Sequence, residues 1–316
     1  MKRALTSLAS LICLALALGT LGCAPTVTDS KKDSLAVVAT TTFVADLAAS
    51  ILGENGTVVG LMGPGVDPHL YKATAGDVNR LQTADVIFYN GLHLEGRMTE
   101  VLVRLGRQGT PVYAITEDLP EENLLEPAEF AGHYDPHVWF DPELWIHCVN
   151  TVVNALSEVD PSNAESYARR GRQTKTLLNE LKQWGISYSA QIPVKSRILV
   201  TSHDAYNYFG KAFDFQVVGV QGISTVSEAG LADIIKVSQF IKEKEIKAIF
   251  VESSVSPSTI ERISDDSGAV IGGELFSDAL GEPGRKETGP DGKIYDVGTY
   301  EGMFRHNMTT IVEALK

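Results

Sequence analysis

From Asp160-Pro161-Ser162 to about Ser189 the chain runs nearly thirty residues without a proline, and no other stretch constrains the fold as much. Asp160-Pro161-Ser162 is a helix start signal. Beyond Gly171 the run is built from good helix formers, with apolar positions at Leu177, Leu178, Leu181 and Trp184. At 1.5 Å per residue such a helix spans on the order of 40 Å, longer than one small lobe needs. On both sides of it, short β-rich runs alternate with helical ones. Before it, strands are expected at 35–40, 57–61, 86–89 and 112–115, and helices at 42–52, 75–83, 98–105 and 144–156. After it, strands are expected at 198–201, 217–220, 248–251 and 270–273, and helices at 205–212, 231–244, 258–264 and 300–315. Residues 117–130 and 282–298, rich in charge with Pro or Gly, read as loops. This alternation implies an α/β fold: two (β/α) lobes with mainly parallel sheets, joined by a long rigid backbone helix, with a cleft between the lobes. The boundaries follow as an N-terminal lobe at 35–160, a linking helix at 161–190 and a C-terminal lobe at 191–316.

Residues 1–22 are a targeting segment and stand outside the fold. Lys2 and Arg3 form a positive start, residues 5–18 a short apolar run, and Leu21-Gly22-Cys23 resembles a bacterial lipobox in which Cys23 carries the lipid. Thr20 stands where that motif usually has Leu. The apolar run is too short to span a bilayer. Residues 23–34 read as a tether. The net charge is −13 and becomes −15 once the targeting segment is removed. An acidic chain repels nucleic acid and favours the approach of cations. Of three cysteines, Cys13 leaves with the signal and Cys23 is acylated, so Cys148 has no partner and reads as a buried small hydrophobe.

Two tripeptides repeat: Asp67-Pro68-His69 and Asp135-Pro136-His137. Proline fixes its own φ and holds the preceding residue extended, so each histidine is presented from a stiff loop. In an open α/β sheet, functional residues gather at the carboxyl ends of strands. Four metal-binding side chains meet that rule: His69, His137, His203 after the 198–201 strand, and Asp278 after the 270–273 strand. Two come from each lobe, and the four would meet in the cleft. The plainer readings stand beside this one. A single histidine after a strand is often a hydrogen-bonded structural residue, and Asp278 before Ala279-Leu280-Gly281 also suits a helix N-cap.

Seven motifs carry a wider resemblance: Asp67-Pro68-His69, Asn90-Gly91-Leu92-His93-Leu94-Glu95-Gly96, Tyr134-Asp135-Pro136-His137-Val138-Trp139, Thr201-Ser202-His203-Asp204-Ala205, Gly222-Ile223-Ser224-Thr225, Phe276-Ser277-Asp278-Ala279-Leu280-Gly281 and Gly302-Met303-Phe304-Arg305-His306-Asn307. In these the chain resembles the TroA-like solute-binding lipoproteins of bacterial ABC importers for zinc and manganese, from about Val37 to its end. The resemblance implies a metal site of His69, His137, His203 and Asp278. It implies Zn²⁺ or Mn²⁺ as the transported ligand, and an ABC permease with its ATPase subunit as partners. It further implies a monomer that faces the periplasm or the cell surface, held to the membrane by its N-terminal lipid, with no nucleic-acid partner. Manganese-selective relatives typically carry Glu at the position of His203, and zinc-dedicated ones a His-rich acidic loop that is missing between Leu70 and Asp85. The missing loop counts against a strictly zinc-dedicated site, but three imidazoles and a carboxylate suit zinc and the affinity order places Zn²⁺ above Mn²⁺, so zinc is favoured, with manganese as a second ligand. His93 reads as structural, His133 as a rim or supporting group, and His147 and His306 as packing or surface residues.

Two rivals belong to other classes. A zinc hydrolase keeps an open coordination position and needs a general base, for which Glu228 and Glu252 are the nearest candidates. A surface adhesin with a structural metal is the other.

Overall fold

Leu35–Ala39 (β1) is a run of small and branched apolar residues, nearly all buried, and it forms the centre of the first sheet. In this computed structural model, which describes residues 34–130 and 132–316, the first sheet is four-stranded in the order β2-β1-β3-β4. Its other strands are Gly56–Gly60 (β2), Val86–Tyr89 (β3) and Val112–Ala114 (β4), all parallel, with Val37 facing Val58 on one side and Val86 on the other. The crossover helices are Thr42–Leu52 (α1), Ala75–Thr83 (α2) and Thr99–Arg107 (α3). Helix α1 starts where the Thr41 side chain accepts the Val44 N–H, a cap contributing about 1 kcal/mol. It buries Phe43, Leu47 and Ile51 along one face and ends at Gly53, whose φ of 56° suits glycine.

Pro142–Val159 (α4) opens with Asp141 as cap and proline in its first turn. A 3₁₀ turn at Pro161–Asn163 then leads into Ala164–Ser189 (α5), 26 residues long. Helix α5 buries Tyr167, Gly171, Leu178, Leu181, Gly185 and Ser189 on one stripe. A side chain at Gly171 would meet Val153 of α4, and one at Gly185 would meet Phe213 and Phe304, so the two glycines let different halves of the chain approach the same helix. Arg170 donates to the Ile51 and Leu52 carbonyls at the end of α1.

The second half alternates again: Ile198–His203 (β5), Asn207–Phe213 (α6), Gln216–Gln221 (β6), Leu231–Glu243 (α7), Ala248–Glu252 (β7), Ser258–Ser267 (α8) and Val270–Leu275 (β8). Strands β5 and β6 pair in parallel, as do β7 and β8, and β5 lies alongside β7. Helix α9, Tyr300–Leu315, closes the chain against α5 and β8. One buried cluster runs from Val37 and Phe43 through Trp139, Trp145 and Leu181 to Phe209, Leu275 and Phe304, so the two halves share a core. Cys148 is buried within it.

Three expectations are corrected. Strand β5 continues to His203, because polar His203 still pairs with Gln221 of β6. Strand β8 continues past Gly273 to Leu275 through a bulge at Gly272, where Ile249 pairs with Ile271 but Phe250 with Gly273. The expected loop 282–298 contains an antiparallel hairpin of Lys286–Thr288 (β9) and Ile294–Asp296 (β10), turned through Gly292 at φ 76° and seated by buried Tyr295. Among the described residues, no helix is long and apolar enough to cross a membrane. The expected signal, Cys13, the lipid-bearing Cys23 and the tether up to residue 33 lie outside the described residues.

Candidate metal centre

The two Asp-Pro-His tripeptides begin alike. Asp67 Oδ1 accepts the His69 backbone N–H at 2.8 Å, and Asp135 Oδ1 accepts that of His137 at 3.0 Å. Each aspartate thus closes a short side-chain turn that fixes the histidine two residues on. Asp135 goes further: the same oxygen lies 2.7 Å from His137 Nδ1, while Oδ2 accepts Asn207 Nδ2 from α6 at 3.1 Å. The carbonyl of Pro136 accepts Asn90 Nδ2 at 3.1 Å. Asn90 is held by buried Glu95, which takes the N–H groups of Asn90 and Gly91 and the Thr40 hydroxyl. The motif around His93 is therefore a clamp behind the His137 loop.

His203 is the last residue of β5. Both oxygens of Glu252, the last residue of β7, are committed to it: Oε1 accepts its backbone N–H at 2.8 Å and Oε2 lies 2.5 Å from Nδ1. Asp278 follows β8 on a segment that α9 holds, since Asn307 bonds both the N–H and the carbonyl of Phe276. The Trp139 indole N–H donates to the Ser277 carbonyl at 3.0 Å, joining the His137 turn to the Asp278 segment.

All four expected side chains come together. His69, His137, His203 and Asp278 each offer one donor atom, and these atoms lie within 4.8 Å of one another. His69 Nε2 is 3.3 Å from His137 Nε2, His137 Nε2 is 3.5 Å from Asp278 Oδ1, and His203 Nε2 is 3.4 Å from Asp278 Oδ2. Tetrahedral ligands at 2.0–2.2 Å from one ion stand roughly 3.3–3.6 Å apart. All four residues are buried, His69 being the least so at 5% exposure. His203 Nε2 and Asp278 Oδ1 are buried without a hydrogen-bond partner and face the centre of the group, an arrangement costly to leave unsatisfied. The donor set therefore fits a divalent transition metal.

Electrostatics separate the histidines. Burial, against the pull of the Asp278 carboxylate and with help from the neighbouring His137 and His203, drives His69 down to about 3, so its imidazole is neutral. Burial also opposes charge on His137, but the Asp135 and Asp278 carboxylates outweigh it and raise it to about 9. Glu252 and Asp278 likewise overcome burial and lift His203 well above its ordinary value. Asp278 is held well below the carboxylate range, because its histidine neighbours outweigh the burial that opposes its charge.

The family described as ZnuA, the periplasmic component A of a zinc-uptake complex, matches residues 37–314. The chain belongs to that family. Among its relatives, the manganese-binding lipoprotein MntA of Bacillus subtilis is 45% identical over 292 residues, covering 91% of this chain and 92% of the relative. The metal ABC transporter substrate-binding lipoprotein SloC of Streptococcus mutans is 31% identical over 283 residues, covering 88% and 92%. The solved structure of the periplasmic zinc-binding protein TroA from Treponema pallidum superposes with a TM-score of 0.83 at 41% identity, over 89% of this chain and 99% of that one. This ZnuA-family chain has the α/β architecture of TroA, with mainly parallel sheets and a long helix.

The remaining histidines lie outside the group. His93 and His133 are exposed, with ring centroids 4.2 Å apart beside a separate cavity of about 430 Å³. His133 thus packs on His93 and Phe130. His147 is half-buried on α4. His306 ties α9 to β8 and β9, with Nδ1 2.7 Å from Glu287 and Nε2 2.9 Å from the Glu274 carbonyl. The expectations based on motifs and strand ends assign no role to Asp67, Asp135, Asn207 or Thr225, and weigh Glu252 only as a general base. The available signal is the aspartate two residues before each Asp-Pro-His histidine.

Proposed function

We propose that this chain is the extracytoplasmic solute-binding component of an ABC importer. It captures one divalent transition metal between His69, His137, His203 and Asp278 and delivers it to the permease. The observation that carries this reading is the spacing of four buried donor atoms from four separate segments of the chain, two of them without any other partner. Residues 35–160 and 191–316 serve as the two lobes and 161–190 as the helix joining them. Residues 1–22 are the signal and 23–34 the tether, and a lipid on Cys23 anchors the monomer to the bacterial membrane. The relatives named as lipoproteins and as ABC-transporter components support that placement.

Zn²⁺ is the favoured cargo, because three imidazoles and one carboxylate match its nitrogen preference, and its affinity exceeds that of Mn²⁺ at such sites. Mn²⁺ is the second cargo. Asp278 turns Oδ1 toward His137 and Oδ2 toward His203, so both oxygens border the site and can raise the coordination number. An enzymatic role finds no support in Glu252, whose two oxygens are both spent on His203. Glu228 is exposed.

The test is to strip the protein of metal and offer Zn²⁺ and Mn²⁺ together. One equivalent of zinc, lost in His203→Ala, is the expected result. Stoichiometric manganese held against zinc would move the cargo to manganese. No bound metal at all would overturn the reading.

A further inference from the structure

Asp67 Oδ2 accepts the Thr225 hydroxyl at 2.6 Å, across 158 residues of sequence. Asp67 precedes His69 in the first half, whereas Thr225 lies on the segment joining β6 to α7 in the second. On that segment Ile223 and Thr225 are buried, but Val226 is 57% exposed and residues 227 and 228 are exposed. The segment is thus pinned inward at two side chains, of which only Thr225 reaches the other half through a hydrogen bond.

This bond stands at the mouth of the site. His69 is the least buried of the four expected ligands and Asp67 is half-buried, whereas His137, His203 and Asp278 are sealed within. An ion that leaves must displace His69, the ligand nearest solvent. The His69 backbone is fixed by Asp67 Oδ1, and Asp67 is fixed in turn by Thr225. No equivalent freedom exists at His137, where Asp135 grips the ring itself and is held by Asn207 and the buried core around α6.

We infer that the Thr225 hydroxyl is a positioning group, a latch that holds the Asp67–His69 loop shut and sets how fast the bound metal escapes. The inference rests on the proposed metal-capture function. The latch acts on release, because the ligands themselves, and so the intrinsic capture of the ion, are untouched by it.

The test is stopped-flow release of Zn²⁺ from the loaded protein into excess chelator, for wild type, Thr225→Val and Thr225→Ser, with melting of each metal-free protein as the folding control. Thr225→Val keeps the shape and removes the donor. It should release zinc about tenfold faster or more, the order expected for one hydrogen bond to a charged group. Thr225→Ser, which keeps the hydroxyl, should release at the wild-type rate. Equal release from wild type and Thr225→Val would overturn the latch, as would fast release from both variants, which would show that the hydroxyl by itself does not hold the loop. Wild-type protein that retains no zinc would overturn the proposed function itself.

Discussion

Asp67-Pro68-His69 and Asp135-Pro136-His137 are the same tripeptide with the same backbone turn, yet their histidines differ in charge. Asp135 bonds the ring of its histidine, and the imidazole is driven up to about 9. Asp67 spends its second oxygen on Thr225 instead, and His69, with no carboxylate bonded to its ring and pressed down chiefly by burial, falls to about 3. The motif presents a histidine; what its aspartate touches next decides whether that histidine is a fixed, proton-bearing wall or a neutral door. Partner carboxylates of this kind set both the orientation and the basicity of metal-binding histidines.

The comparison can be broken most severely at the proposed ligands. His137→Ala should weaken Zn²⁺ binding by roughly a hundredfold or more, given the free energy that four ligands share. It should cost more than His69→Ala, because it also takes from the buried Asp135 carboxylate its ring partner; competition titration of the two variants checks the order. Next comes Asp135→Asn, which should cost roughly ten- to a hundredfold in affinity. Asp67→Asn should cost clearly less in the same titration, since Asp67 never touches the ring.

The pH dependence sharpens the same contrast. In the metal-free protein the folded pKa of His137 is raised, so its stabilising contribution is complete below about 6.5 and is lost as pH rises through about 9. Metal needs the neutral ring, so affinity should climb with pH over that window, about tenfold per unit for each proton displaced. Melting curves at pH 6.5 and 9 should show metal-free protein losing stability while the gain on adding Zn²⁺ grows. Asp135→Asn should flatten the profile. His69→Ala should leave its slope unchanged, because His69 holds no proton there. The smallest effect belongs to His93→Ala and His133→Ala, whose exposed rings pack on each other away from the site; both should titrate as wild type.

How much of this was legible in the sequence follows from the range of the interactions. The α/β alternation and the long helix α5 are local and periodic, and their patterns survive in the structure with ends moved by a few residues. The hairpin β9–β10 escapes such a reading because each strand is three residues long and only Tyr295 turns inward. The full length of β8 is hidden by the Gly272 bulge, which breaks the period of two. The four residues brought together at the site were visible through Asp-Pro-His and strand-end placement. The groups that tune them were not, since Glu252 is 49 residues from His203, Asn207 is 72 from Asp135 and Thr225 is 158 from Asp67. Those pairings exist only once β5 lies beside β7 and the two halves face each other.

The core shared by the two halves has a consequence for how the molecule melts. Val37, Trp139, Leu181, Phe209, Leu275 and Phe304 belong to one buried cluster, so neither half can lose its packing without opening the other. Unfolding should be a single cooperative event. An ion gripped partly by His69 and His137 should then slow amide exchange in β5–β8 as much as in β1–β4, spreading the grip of a few atoms over the whole chain.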